Sequence, residues 1–251
     1  MVNTDAAIIT IRNSSTRLPN KAIKNITDEL RSIDILINRI KQTNLRIILA
    51  TSTDPTDEIF IQIAHEHNIE IFRGSLLNKI KRWYDCFQDK QLENALLVDG
   101  DDLAYDYDIG VRALKQLKSN CLELVLNPKE IVCGFFTYVI SRNGISKLFE
   151  TARSDDADTD VPSMFLNIAD LNKEYVSLSE FEKNKNIRLT LDYEDDLQFF
   201  RKLYQNIGIL ESGNDIISFL EKNKDIININ FNRQKDYLGN QAEFNKKISN
   251  D

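Results

Sequence analysis

An open, doubly wound α/β sheet is the fold this sequence predicts, on three observations. Short apolar runs alternate with amphipathic helical stretches for at least four rounds in the first 120 residues. The runs AAIITI, RIILAT, IEIF and ALLVD are mostly apolar, the mark of parallel strands covered on both faces. The loops with unusual chemistry follow strands, and open α/β sheets bind ligands beyond the carboxyl ends of their strands.

Each element can be justified in order. Residues 6–11 form a first strand, ending in the glycine-free loop RNSSTRLPNK. Ile33, Leu36, Ile37 and Ile40 recur at helical spacing in 31–43, and RIILAT (46–51) is a second strand. Pro55 and its acidic neighbours suit a helix start, and the helix at 57–67 shows Ile59, Phe60, Ile63 and Ala64 on one face. His65 and His67 fall near its end, where they are expected to face solvent. Strand IEIF (69–72) precedes a helix at 76–90, with Leu77, Ile80, Trp83 and Tyr84 expected inward. ALLVDGDD (95–102) runs straight into carboxylates. Beyond a helix at 107–118 come two strands (122–127 and 135–141), a helix from about 143 to 153 and an acidic loop, SDDADTD, at 154–160. NIRLTLD (186–192) reads as a further strand ending in an acid. The helix at 193–206 turns Leu197, Phe200, Leu203, Tyr204 and Ile207 inward. One more helix and a polar tail, expected to be mobile from about residue 232, complete a single domain of 251 residues.

Composition excludes several classes. With 42% hydrophobic and 28% charged residues, an ordered globular domain is expected. A net charge of −7 offers no general basic field for nucleic acid or an anionic membrane. Cys86, Cys121 and Cys133 form no CxxC pair and are odd in number, against a disulfide framework or a zinc site. No signal-peptide core or apolar run of membrane-spanning length occurs, so a cytoplasmic protein is expected.

The first loop places Arg12, Ser15, Arg17 and Lys21 within ten residues, stiffened by Pro19. Three cations and hydroxyls after a buried strand can cradle a polyphosphate, because guanidinium forks phosphate oxygens and lysine adds a mobile point charge. Taken alone, the same residues also describe a solvated basic turn. Asp99, Asp101 and Asp102 converge at the end of the fourth strand; such carboxylates repel unless a cation neutralises them, and hard oxygen ligands suit Mg²⁺. Gly100 between them allows close backbone approach. An acidic surface turn is the plain alternative.

The pattern R-x-x-S-x-R-L-P-x-K resembles the cytidylyltransferases that activate acidic sugars: the 3-deoxy-manno-octulosonate and acylneuraminate enzymes and their spore-coat polysaccharide relatives. Gly100-Asp101 matches that family's G-D-x-P motif, with Leu103 in place of the proline and Asp99 where octulosonate enzymes carry glutamine. Asp192-Tyr193-Glu194-Asp195-Asp196-Leu197 follows the spacing of its D-T-P-E-D-L. The resemblance implies a Rossmann-like, nucleotide-diphospho-sugar transferase fold, three layers with a mixed, mostly parallel sheet. It assigns Arg12, Ser15, Arg17 and Lys21 to the triphosphate, and Asp101 and Asp192 to Mg²⁺. It sets Arg73 and Arg82 near the base or phosphates, and leaves Asp99 and Asp102 to the substrates. Glu194, Asp195 and Asp196 read instead as helix-start residues favoured by the helix dipole.

The implied activity is transfer of CMP from CTP to a small anionic acceptor, releasing pyrophosphate, by a homodimer. A sugar acid is the expected acceptor, with a phosphonate as the other possibility. Two rival readings stand beside it. Asp99-Gly100-Asp101 is formally the DxD of a glycosyltransferase, and a non-catalytic nucleotide-binding homologue would keep the same fold.

Overall fold

The computed structural model describes residues 4–154, 158–159, 161–183 and 186–234. Its first half alternates strictly: β1 (Asp5–Thr10), α1 (Ser32–Lys41), β2 (Arg46–Ser52), α2 (Ile59–His67), β3 (Glu70–Gly74), α3 (Lys79–Asp89), β4 (Asn94–Asp99) and α4 (Tyr107–Ser119). There follow β5 (Leu124–Leu126), β6 (Tyr138–Ser141), α5 (Arg142–Glu150), α6 (Ser163–Ile168), β7 (Lys173–Tyr175), α7 (Glu194–Tyr204), α8 (Gly213–Lys222) and α9 (Lys224–Asn230). The helix starts are chemically specified. Asn78 accepts from Lys81 N at 2.8 Å before α3, and Asp106 accepts from Asp108 N and Ile109 N before α4, satisfying amides that the first helical turn leaves unbonded.

The strands form one sheet in the order β3-β2-β1-β4-β6-β5-β7. Only β6 runs antiparallel to its neighbours; the other pairings are parallel. The sheet is therefore mixed and mostly parallel, as the resemblance implied. Side-chain alternation divides the strands between two cores. Ala7, Ile9, Leu49, Leu96 and Val98 face α1, α2, α4 and the C-terminal helices. Ala6, Ile8, Ile48, Ala50 and Leu97 face α3, α5 and α6. Both faces being covered, the strands needed no polar alternation, which is why they read as continuous apolar runs.

The strand order reverses direction between β1 and β4: β1 leads outward to β2 and β3, while β4 begins the other half of the sheet. The carboxyl ends of β1 and β4 lie side by side, with Thr10 opposite Asp99. Such a switch point is where α/β sheets open a crevice.

Several sequence expectations change. Leu77 precedes α3 and is 46% exposed, so it does not point inward, whereas Tyr84 packs against the core as expected, stacked on Phe149. His67 does not face solvent, because its Nε2 lies 2.8 Å from Asp34 Oδ1. The segment 186–192 is not a strand of the sheet. It meets its surroundings through an isolated bridge between Cys133 and Arg188, and through bonds from Leu189 N to Cys133 O and Leu191 N to Asp101 O, each 2.8 Å. Its apolar alternation sends Ile187, Leu189 and Leu191 into the core without a ladder partner on either side. Two short elements, α6 and β7, and the second helix of the tail, α9, were not anticipated. Most of the acidic loop (155–157 and 160) and of the tail (235–251) lies outside the described residues. Among the described residues no helix is long and apolar enough to cross a membrane.

Candidate active site

The loop after β1 is tied down before it does anything else. Asp57, 1% exposed, accepts from Asn13 N at 2.6 Å and from Ser52 Oγ at 2.5 Å, anchoring the loop to the end of β2. Arg12 Nη1 donates to Leu76 O at 2.6 Å, joining the loop to the segment before α3. Ser15 Oγ accepts from Leu18 N at 3.3 Å, closing the turn that sends Leu18 into the core. These bonds set Arg17 and Lys21 toward the carboxyl ends of β1 and β4. Lys21 opens a short 3₁₀ turn whose carbonyls are held by Ser32 Oγ.

Across from them stands the turn after β4. Oxygens of Asp99, Asp101 and Asp102 all lie within 4.8 Å of one another. At that spacing, and an effective dielectric of ~20, each charged pair repels by roughly 3–4 kcal/mol. Burial and the charges of Asp99 and Asp192 raise the Asp101 carboxyl above the usual range, against the opposing pull of Lys21. Asp102 is raised further by burial and by Asp101 and Asp99; Thr137 Oγ1 donates to it at 3.4 Å. Asp99 is better compensated, with Lys79 Nζ 2.5 Å away, itself buried and above the Trp83 ring. Sequence reasoning missed Lys79, which reads as an ordinary helix-start lysine. Leu103, where the resemblance leads one to expect proline, is wholly buried core. Gly100 is required by packing: a Cβ there would stand 2.9 Å from the Ile11 side chain.

Asp192 completes the site from a different direction. The Leu191 N–Asp101 O bond fixes the extended segment against the β4 turn. Gly134, at φ +92, allows the crossing, since a Cβ on it would lie 2.2 Å from Leu189 O. Asp192 and Asp101 thus meet although they do not end two strands of one sheet, as the sequence suggested. One ammonium joins them: Lys21 Nζ lies 2.6 Å from Asp101 Oδ2 and 3.0 Å from Asp192 Oδ1. Arg17 Nη2 reaches the same Asp192 oxygen at 2.6 Å and stacks over the Tyr193 ring. Burial alone would raise Asp192, but Lys21, Arg17 and Arg188 overcome it and hold the carboxyl down at about 2. Lys21 is raised in turn, because those carboxylates outweigh the desolvation of its ammonium.

The remaining expected residues are placed less directly. Arg82, 1% exposed, lies beneath the segment before α3 and donates to Ser75 O at 2.6 Å. It therefore shapes that segment, next to the loop that Arg12 also holds. Arg73 binds the carbonyls of Ser52 and Asp54, steadying the loop after β2. Of the helix-start acids, Asp196 is buried and accepts from Asp192 N and Tyr193 N, Asp195 pairs with Arg233, and Glu194 is exposed.

The cluster at the switch point, in which Arg17 and Lys21 pair with the desolvated carboxylates of Asp101 and Asp192, has the charge pattern that a nucleotidyltransferase site requires. More narrowly, residues 6–102 match the family model described as cytidylyltransferase. The chain is 27% identical over 235 residues to an uncharacterised protein of Methanocaldococcus jannaschii, covering 92% of this chain and 96% of the relative. It is 24% identical over 231 residues to the spore coat polysaccharide biosynthesis protein SpsF of Bacillus subtilis, covering 87% and 94%. A solved cytidylyltransferase from Leptospira borgpetersenii has the same fold, with TM-score 0.80, 22% identity and coverage of 90% and 97%. A CMP:2-keto-3-deoxy-manno-octonic acid synthetase complexed with CTP has TM-score 0.63, 13% identity and coverage of 81% and 99%.

Proposed function

We propose that this enzyme transfers CMP from CTP to a small anionic acceptor, a sugar acid in the first instance, with release of pyrophosphate and with Mg²⁺ held by Asp101 and Asp192. The observation that carries the reading is the single ammonium between those two carboxylates, at 2.6 and 3.0 Å. Residues remote in sequence deliver oxygens to one cationic point, and Asp99 and Asp102 stand close by. That all-oxygen set fits Mg²⁺, which when bound would supply electrostatic stabilisation to the phosphate oxygens.

The chain's own residues do the rest. Arg17 and Lys21 are placed to hold the β- and γ-phosphates, while Arg12 and Ser15 keep the loop in shape. The acceptor oxygen attacks the α-phosphate, the bond to the bridging oxygen of the β-phosphate breaks, and pyrophosphate leaves against the two cations. Neither histidine is suited to act as base, since His65 is exposed on α2 and His67 is engaged by Asp34. Family resemblance adds a soluble, cytoplasmic homodimer to the reading. The names of the SpsF relative and of the octonic acid synthetase support CTP and a polysaccharide precursor.

The test is pyrophosphate release on mixing the enzyme with CTP, Mg²⁺ and a panel of keto-sugar acids, hydroxy acids and phosphonates. Release with one acceptor class is expected. Nucleoside diphosphate release from a nucleotide sugar would favour a glycosyltransferase, and no turnover with any donor a binding homologue.

A further inference from the structure

We infer that Arg188, through the guanidinium fork it closes on two carboxylates, is the positioning residue that turns one oxygen of Asp192 toward the cationic point of the site. The inference rests on Asp192 acting as a metal ligand, as proposed above.

Arg188 is 2% exposed, and a buried charge is tolerated only when paired and hydrogen-bonded. Its Nε and Nη2 bond Asp196 at 3.0 and 3.2 Å, and Nη2 also bonds Asp192 Oδ2 at 2.7 Å. Asp196, wholly buried, is saturated. It accepts further from Asp192 N at 2.8 Å, Tyr193 N at 2.9 Å and Asn230 Nδ2 at 2.9 Å. The two oxygens of Asp192 are thereby divided. Oδ2 is held inward by Arg188, and Oδ1 is left for Lys21 and Arg17. One buried cation against two carboxylates leaves a single negative charge over, and the geometry places it on the outward oxygen.

The fork is locked from α9 and from the residues just after it. Asn230 donates to Arg188 O at 3.1 Å as well as to Asp196, and Gln234 Oε1 accepts from Arg188 Nη1 at 3.2 Å. Lysine at 188 would keep the charge but, with one nitrogen, could not span both carboxylates. The arrangement is that of a metal site's outer partners, which orient a ligand without touching the ion.

The test measures Mn²⁺ binding to the full chain by electron paramagnetic resonance, with near-ultraviolet dichroism confirming the fold. In Arg188→Lys we expect Mn²⁺ affinity to fall roughly ten- to a hundredfold. The Mg²⁺ concentration for half-maximal turnover should rise in parallel, with turnover at saturating Mg²⁺ largely recovered. A merely structural arginine would lower the melting temperature without moving metal affinity. Asn230→Ala, which changes no charge, should weaken Mn²⁺ by a smaller factor and carries the test if Arg188→Lys fails to fold. Wild-type Mn²⁺ affinity in the folded variants, beside loss of binding in Asp192→Asn, would overturn the inference alone. Wild-type affinity in Asp192→Asn would overturn it together with the reading it rests on.

Discussion

The two sides of the site are built by different means. Arg17, Lys21 and the three acids of 99–102 hang from β1 and β4, adjacent strands whose side chains fill both cores. Burying each of their Ile, Leu or Val side chains contributes about 1.5–3 kcal/mol, so the strand ends are positioned by hydrophobic packing they would have anyway. Asp192 comes from an extended segment with no ladder. Its place depends on one backbone bond to Asp101, on a glycine at φ +92 and on the buried Arg188–Asp196 pair. A regular sheet delivers functional groups at its edge as a by-product of folding; an irregular segment must be held there by specific polar contacts. The second kind of placement is the more fragile, since breaking one partner of a buried ion pair costs more than the pair gives.

The largest expected effect joins the two sides. Asp101→Asn and Asp192→Asn each keep the side-chain shape and should each lower turnover by orders of magnitude. The double variant should be little worse than either, because the two act as one unit. Steady-state rates over a range of Mg²⁺ measure this, and strictly additive losses would mean that the two sides do not share an ion.

A smaller effect is expected on the packed side alone. If Arg17 and Lys21 hold the triphosphate as proposed, Arg17→Ala and Lys21→Ala should each remove one charge-assisted contact, worth about 1.5–3 kcal/mol, or roughly ten- to more than a hundredfold in affinity. Melting curves should stay near wild type in Arg17→Ala, whereas Lys21→Ala, which leaves Asp101 and Asp192 without their shared cation, should melt lower. If both variants bind CTP like wild type, the cradle lies elsewhere.

The smallest effect on chemistry should come from Gly134→Ala, although its effect on folding is definite. Strain at φ +92 and the contact with Leu189 O should destabilise the protein by about 1–3 kcal/mol in urea unfolding. Turnover should fall only severalfold, and only through the Asp192 side, seen as a higher Mg²⁺ requirement. An unchanged Mg²⁺ requirement would show that the crossing of 132–136 over 187–191 does not set the position of Asp192.

The same contrast explains what could be read from sequence. The four rounds of strand and helix were visible because apolar runs and 3.6-residue spacing are what two covered faces demand, and the loop at 12–21 and the acids at 99–102 stood out at predicted strand ends. Segment 186–192 misled because alternating Ile187, Leu189 and Leu191 look the same whether or not a neighbouring strand exists. Arg188 and Lys79 gave no signal; their roles arise from burial beside carboxylates that the chain brings together only on folding. The burial of Arg82 was equally invisible, since an arginine looks the same in sequence whether it is open or 1% exposed. His67 could have been suspected only by pairing it with Asp34 on another helix.

The central claim is that the two carboxylates and the cationic loop form a metal-dependent site for CTP. Isothermal calorimetry of the wild-type enzyme with CTP, UTP, ATP and GTP, each in Mg²⁺ and in EDTA, tests it most directly. CTP should bind most tightly, and EDTA should abolish the binding. Equal affinity for ATP, or CTP binding undiminished by EDTA, would contradict the claim.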